Sequence, residues 1–186
     1  LLKYHICLLM KLLLNIFSFL FCALFLTQGV AQQSKVIFGP FLVREGVTFD
    51  QNTDEPITGV VQTYYEHGQL ATIENYKDGR RDGISEIFHY ENGNWQRREN
   101  YKEGMRDGLQ EKFYENGQLQ IKENFIDGQK DGLREEFHSN GQLRSRESYK
   151  DGERTGFLEK YNGLGQLLSK QCFQEDRKAE ASLCTP

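Results

Sequence analysis

The chain has 186 residues, a formal net charge of −4 and a mean hydropathy of −0.66. The acidic balance excludes the net basic footprint with which nucleic-acid-binding proteins meet phosphate. So polar a composition also argues against a large globular core. The first segment, residues 1–31, has the order of a secretory signal. Lys3 and Lys11 are its only charges, an apolar run spans Leu12 to Leu26, and the small residues Gly29, Val30 and Ala31 follow. Met10 is a candidate start. The run is interrupted by Asn15 and Ser18 and is shorter than the roughly 20 residues a membrane span needs. Cleavage after Ala31 leaves 155 residues with 21 basic and 27 acidic side chains; retention makes the same segment an anchor. Cys22 follows Phe21, where a lipid-anchored leader needs a small residue.

Next, residues 32–58 read as an N-terminal cap. Gly46-Val47-Thr48-Phe49 is a degenerate half-repeat strand within it.

Residues 59–174 repeat. Gly59, Gly83, Gly108, Gly132 and Gly156 recur every 24 residues, with one step of 25. Gly68, Gly93, Gly117, Gly141 and Gly165 form a second series, and Gly79, Gly104, Gly128 and Gly152 a third. The chain therefore holds five copies of one unit, with one residue inserted in the second. Each unit reads as a β-hairpin. In the third copy strand A spans about Leu109 to Tyr114 and strand B about Gln118 to Ile126. Pairing Phe113 with Leu119 across the loop Glu115-Asn116-Gly117 puts Leu109, Glu111 and Phe113 on one face with Leu119, Ile121, Glu123 and Phe125. Glycine in the last loop position suits a type I turn with a bulge. A second connection, Asp127 to Asp131, keeps the next strand on the same face. The expected fold is all-β: an elongated single-layer antiparallel sheet of ten strands, roughly 45–50 Å wide at ~4.8 Å per strand. Stability is expected to sum over neighbouring hairpins.

The unit Phe113-Tyr-Glu-Asn-Gly-Gln-Leu119, the stretch Asn100-Tyr-Lys-Glu-Gly-Met-Arg-Asp-Gly108, and the lead-in Asp54-Glu-Pro-Ile-Thr-Gly59 with Tyr64-Tyr-Glu-His-Gly-Gln-Leu70 resemble the MORN-repeat variant family, from about Arg44 to Phe173. The resemblance implies stacked hairpins and a binding or scaffolding role. Many members of that family are labelled antitoxin components of toxin–antitoxin systems. An export signal fits such a role only for an envelope immunity protein.

Within the repeats, four apolar columns fall on one face by strand parity: Val60 to Phe157, Tyr64 to Tyr161, Leu70 to Leu167 and Tyr76 to Phe173. They read as packing stripe or partner platform. Glu74, Glu86, Glu99, Glu111, Glu123, Glu135, Glu147 and Glu159, with Gln62 and Gln171 at the ends, make an acidic row on that face. Like charges side by side repel. Two readings stand: carboxylates tied to nearby backbone or to Arg97, or a track for a cation or basic ligand. Arg98, Lys102, Lys122, Arg144, Arg146, Lys150 and Lys170 are expected on the opposite, solvated face. The second repeat carries the inserted residue near Phe88 to Tyr90, read as a strand bulge, and the sole tryptophan, Trp95. Trp95, Glu99, Tyr101, Glu111, Phe113 and Phe125 are thus the expected partner-binding set.

The loops Asp78–Gly83, Glu103–Gly108 and Asp127–Gly132 lack the acid at position three and the glutamate at position twelve of a calcium loop, and read as turns. No phosphate loop, nucleophile elbow or metal-spaced pair appears, so no enzyme, metal or cofactor is expected.

The tail, residues 175–186, closes the chain. Cys172 and Cys184 either pair, as an exported location permits, or remain free thiols. The combined reading is an exported, non-enzymatic interaction or scaffolding module of the cell envelope, periplasmic, surface-bound or secreted. Its partner would be a protein or an envelope macromolecule, not nucleic acid; membrane contact is a weaker option. The alternative is an envelope immunity or antitoxin protein that blocks a toxin domain.

Overall fold

A computed structural model describes residues 36, 37 and 39–184. The leader and its cleavage site lie outside the described residues. Fifteen strands follow in chain order. β1 (Val36–Ile37), β2 (Phe41–Arg44) and β3 (Val47–Asp50) precede the repeats. The repeats comprise β4 (Gly59–Tyr64), β5 (Leu70–Lys77), β6 (Arg80–Phe88), β7 (Trp95–Lys102), β8 (Met105–Phe113), β9 (Leu119–Ile126), β10 (Gln129–Lys130), β11 (Gly132–Phe137), β12 (Leu143–Lys150), β13 (Glu153–Tyr161) and β14 (Leu167–Gln174). β15 (Arg177–Ala179) and a 3-10 turn, Ala181–Cys184, end the described chain. Thirteen strands form one sheet in sequence order, antiparallel except where β1 runs parallel to β4. β2 and β3 pair separately.

The first turn of four of the five units is the expected three-residue loop. In the third, Tyr114 N–H donates to Gln118 O (2.9 Å) and Gly117 N–H to Tyr114 O (2.9 Å), and Phe113 pairs with Leu119. The inserted residue of the second unit enlarges this loop rather than bulging a strand. There His89 N–H donates to Asn94 O, leaving four residues, Tyr90 to Gly93, in the loop.

The second connection differs from the expected five-residue loop. It is a tight two-residue turn, Asp127-Gly128, with φ of 47° and 81°; Asp78-Gly79, Glu103-Gly104 and Asp151-Gly152 match it. Positive φ at both positions defines the type I′ turn, whose twist suits adjoining antiparallel strands. The strands consequently start before the expected glycine, and the extra residues appear inside β6, β8 and β13 as a register shift of two. Asparagine amides span the gap. Asn75, Asn100 and Asn124 donate to the carbonyls of Ile84, Leu109 and Asp131 at 2.6, 2.5 and 3.1 Å. The second aspartate of each loop sequence also has a partner. Asp82, Asp107 and Asp131 accept from the N–H of Glu103, Asp127 and Asp151 in the next turn.

Each hairpin carries one more irregularity. Phe113 pairs with Leu119, yet Lys112 pairs with Ile121, so Gln120 is an extra residue. Equivalent shifts occur after Thr63, Ile87, Glu136 and Lys160. A one-residue bulge reverses which side chains lie opposite one another. This single feature redistributes the candidate residues over the two faces.

The apolar interior is small. Ile57, Val61, Ala71, Phe125, Cys172 and Phe173 are its buried apolar side chains within the strands and their immediate flanks. A single sheet has no second layer to bury a face against. Order therefore depends on backbone ladders, stacked turns and side-chain rows along the sheet.

Candidate interaction surface

Direct pairing across all strands defines one unbroken row: Gln62, Ile73, Glu86, Arg98, Glu111, Lys122, Glu135, Arg146, Glu159 and Lys170. Acid and base alternate along it. Arg98 bonds Glu111 at 2.7 Å, and Glu159 meets Arg146 at 2.6 Å and Lys170 at 2.9 Å. Leu109, Phe113, Leu119 and Trp95 share this face. The rings of Trp95 and Phe113 are 5.8 Å apart, and the Arg98 guanidinium lies 5.0 Å from the Trp95 ring. Cation–ring contacts of this kind are favourable when partly desolvated. Arg98, Lys122, Arg146 and Lys170 were expected on the far side; they lie on the Trp95 face because the bulge inverts strand B relative to strand A.

The other glutamates sit on the opposite face. There the row runs Val61, Glu74, Ser85, Glu99, Gln110, Glu123, with Arg134, Glu147, Leu158 and Gln171 continuing the pattern. Each glutamate of this row has a basic neighbour just beyond the two-residue turn. Arg81 meets Glu74 (2.7 Å), Arg106 meets Glu99 (3.0 Å), Lys130 meets Glu123 (3.0 Å) and Arg154 meets Glu147 (2.8 Å). The same four cations lie 4.9–5.5 Å from the rings of Tyr101, Phe125, Tyr149 and Phe173. Tyr76 and Tyr101 hydroxyls donate to Glu74 and Glu99. Glu99 and Glu147 are only 5% and 6% exposed. Their carboxylates are tied to side chains along the sheet rather than to backbone.

The expected partner-binding set is thus divided. Trp95, Glu111 and Phe113 form one cluster; Glu99, Tyr101 and Phe125 belong to the other face. The tyrosine–phenylalanine column from Tyr76 to Phe173 likewise leaves the Trp95 face, and Phe125 and Phe173 are buried. No residue type in the sequence marks the bulge, because the extra position is Ala71, Gln96, Gln120, Arg144 and Leu168 in the five successive hairpins.

Cys172 and Cys184 form a disulfide with Cα atoms 5.8 Å apart. Among the described residues, no three His, Cys, Asp or Glu side chains are grouped to hold a metal.

Lys170 and Arg146 hold the Glu159 carboxyl at about 2, well below its ordinary 4.5, against a smaller opposing effect of burial. Because the folded state favours the charged form, this contribution is complete above about pH 4.5 and is lost as pH falls toward 2. Both cations are nearly half exposed, so solvent screens the pairs. Glu159→Gln is expected to cost about 1–2 kcal/mol at pH 7. Urea midpoints of the two proteins should converge at pH 2; an undiminished gap there would contradict the pairing.

A groove of about 770 Å³ lies on the Glu99 side of the sheet, lined by Arg97, Glu99, Gln110, Lys112, Ile121 and Glu123 among others. Sequence parity had drawn no attention to Gln110 or Lys112.

Residues 57–78, 106–127 and 130–151 match the family model of the MORN repeat variant. No curated protein matches the chain. The MORN repeat is a non-catalytic module that generally mediates protein or membrane interactions. Folded as stacked hairpins with the same register shift in each, the chain carries MORN-variant repeats at the three matched positions.

Proposed function

We propose that the protein is an exported, non-enzymatic interaction module of the cell envelope that binds another protein through its Trp95 face. The supporting observation is apolar exposure on an uncovered sheet face. Ile84, Trp95 and Leu133 are 47%, 41% and 44% exposed, and all lie on the side opposite the buried Glu99 row. Exposed apolar side chains gathered on one uncovered face favour an interaction role, and aromatic side chains anchor such surfaces. Export is supported by the leader sequence, Lys11 through Ala31.

The test uses protein recovered from the exported fraction. Its N-terminus is expected at or near Gln32; retention of residues 12–31 would replace export by anchoring. Affinity capture from the same fraction should then depend on the Trp95 face. Trp95→Ala combined with Leu133→Ser is expected to weaken partner capture at least tenfold. Lys160→Glu, on the other face, should leave it unchanged. The reverse pattern, with both variants folded by circular dichroism, would reject this surface. A captured toxin domain would support the immunity reading of the same binding role.

A further inference from the structure

The face opposite Trp95 carries a directly opposed basic pair beside the groove. Near the three-residue turns, direct pairing sets Ile87, Arg97, Lys112 and Ile121 side by side. Arg97 and Lys112 are like charges directly opposite each other, an arrangement that costs free energy unless an anion lies between them. The carboxylate nearest Arg97 is Glu99, at 3.8 Å, and it is already engaged by Arg106 at 3.0 Å and by the Tyr101 hydroxyl at 2.9 Å. Lys112 is exposed and has no ion-pair partner among the described residues. The neighbouring acids Glu99 and Glu123 are neutralised by Arg106 and by Lys130 with Arg134. The groove as a whole is lined by Arg97, Arg106 and Lys112 against Glu99, Glu111, Glu115 and Glu123, but Glu99, Glu111 and Glu123 are paired, so the positive charge is confined to the spot between Arg97 and Lys112.

A second observation comes from the groove floor. Gln110 is 4% exposed; its amide nitrogen donates to Asn100 O at 2.8 Å, while its Oε1 has no partner. His89 Nε2, also lining the groove, is likewise unpartnered. Buried polar atoms without a partner are costly and call for an explanation. One repeat further along the row, Arg134 occupies the equivalent place and bonds Glu147 at 3.0 Å, so the floor there is satisfied from within the chain. At Gln110 it is not.

We propose that this groove binds an extended acidic peptide segment, with one Asp or Glu carboxylate seated between Arg97 and Lys112 and the flanking apolar side chains against Ile87 and Ile121. The unpartnered Gln110 Oε1 accepts an N–H from the segment. A groove of about 770 Å³ holds a few residues, not a folded domain. An anionic membrane fits less well, because Glu115 at the groove's rim and the acidic net charge repel a broad negative surface while admitting a single carboxylate. This inference stands apart from the Trp95 surface, which lies on the other side of the sheet.

The test is selection of displayed random heptapeptides on the full chain. Enriched peptides are expected to share an Asp or Glu at one position. Synthetic copies should bind at least tenfold more weakly when that residue is replaced by its amide. Arg97→Gln and Lys112→Gln, both changes of partly exposed side chains, should each reduce binding by a similar factor. Trp95→Ala should not change it, so failure here and failure of the Trp95 surface are separable. Absence of enrichment, enrichment without a shared acid, or binding indifferent to Lys112→Gln would overturn the proposal. So would phosphate or vesicles of phosphatidylglycerol binding through Arg97 and Lys112 where the peptides do not.

Discussion

Replacing Gly79 with alanine is expected to destabilise the protein by about 3 kcal/mol or more. Gly79 has φ +74°, a left-handed conformation that costs an L-residue about 1–2 kcal/mol. The larger penalty is steric. An added Cβ would fall inside contact distance of Val47 Cγ1 and 2.7 Å from the Thr48 carbonyl oxygen. The β2–β3 hairpin reaches the repeats at this point: Thr48 N–H donates to Gly79 O at 2.7 Å, and Gly79 N–H to Ile57 O at 2.8 Å. A methyl group there displaces the hairpin and uncovers Ile57, one of the few buried apolar side chains. Gly104 is the control. It has the same role in the next turn and φ +88°, but its nearest neighbour to an added Cβ is 3.8 Å away. Gly104→Ala should cost about 1 kcal/mol, from backbone strain alone. Urea unfolding measures both, and amide exchange at Thr48 shows whether the hairpin has detached. Equal costs for the two substitutions would refute the steric argument.

Removing the disulfide by Cys172→Ser is expected to cost about 2–3 kcal/mol, since closing a loop of this length restricts the unfolded chain by about that much. The effect should be local. Cys172 lies in β14 opposite Ala179 of β15, and Cys184 ends the 3-10 turn that packs beside it; both are buried. Without the bridge, β15 has only three paired positions to hold it against β14. Its loss leaves a full-length β14 edge exposed, and open edges of this kind recruit further strands. Light scattering of the variant should therefore show concentration-dependent association, and exchange should accelerate in residues 172–184 before the central hairpins. A variant that stays monomeric with unchanged exchange would show that the bridge does not hold this cap.

The repeat, the hairpins and the three-residue loop with Phe113 against Leu119 were legible from glycine spacing and from strand alternation. These are local properties: a glycine at a positive-φ turn position and a period of two within a strand follow from backbone sterics alone. The alternating partners of the glutamates were present in the sequence too, as Arg98 beside Glu99 and Arg106 after Met105. Which carboxylate each would meet was not legible. That depends on whether a strand slips by one residue, and the slip, at Ala71, Gln96, Gln120, Arg144 and Leu168 in turn, has no residue signature. It was decided by two pairings that must hold at once: the turn end, Phe88 with Trp95 or Phe113 with Leu119, and the glycine end, Gly83 with Tyr101 or Gly108 with Phe125. Meeting both requires one extra residue on strand B. The tertiary structure thereby sorted a single predicted acidic row into two neutralised ones on opposite faces. It left Arg97, Lys112 and Gln110 together in a groove, and it set Arg98 on Trp95. Local chemistry specified the hairpin; register, a property of the whole ladder, specified which side chains meet.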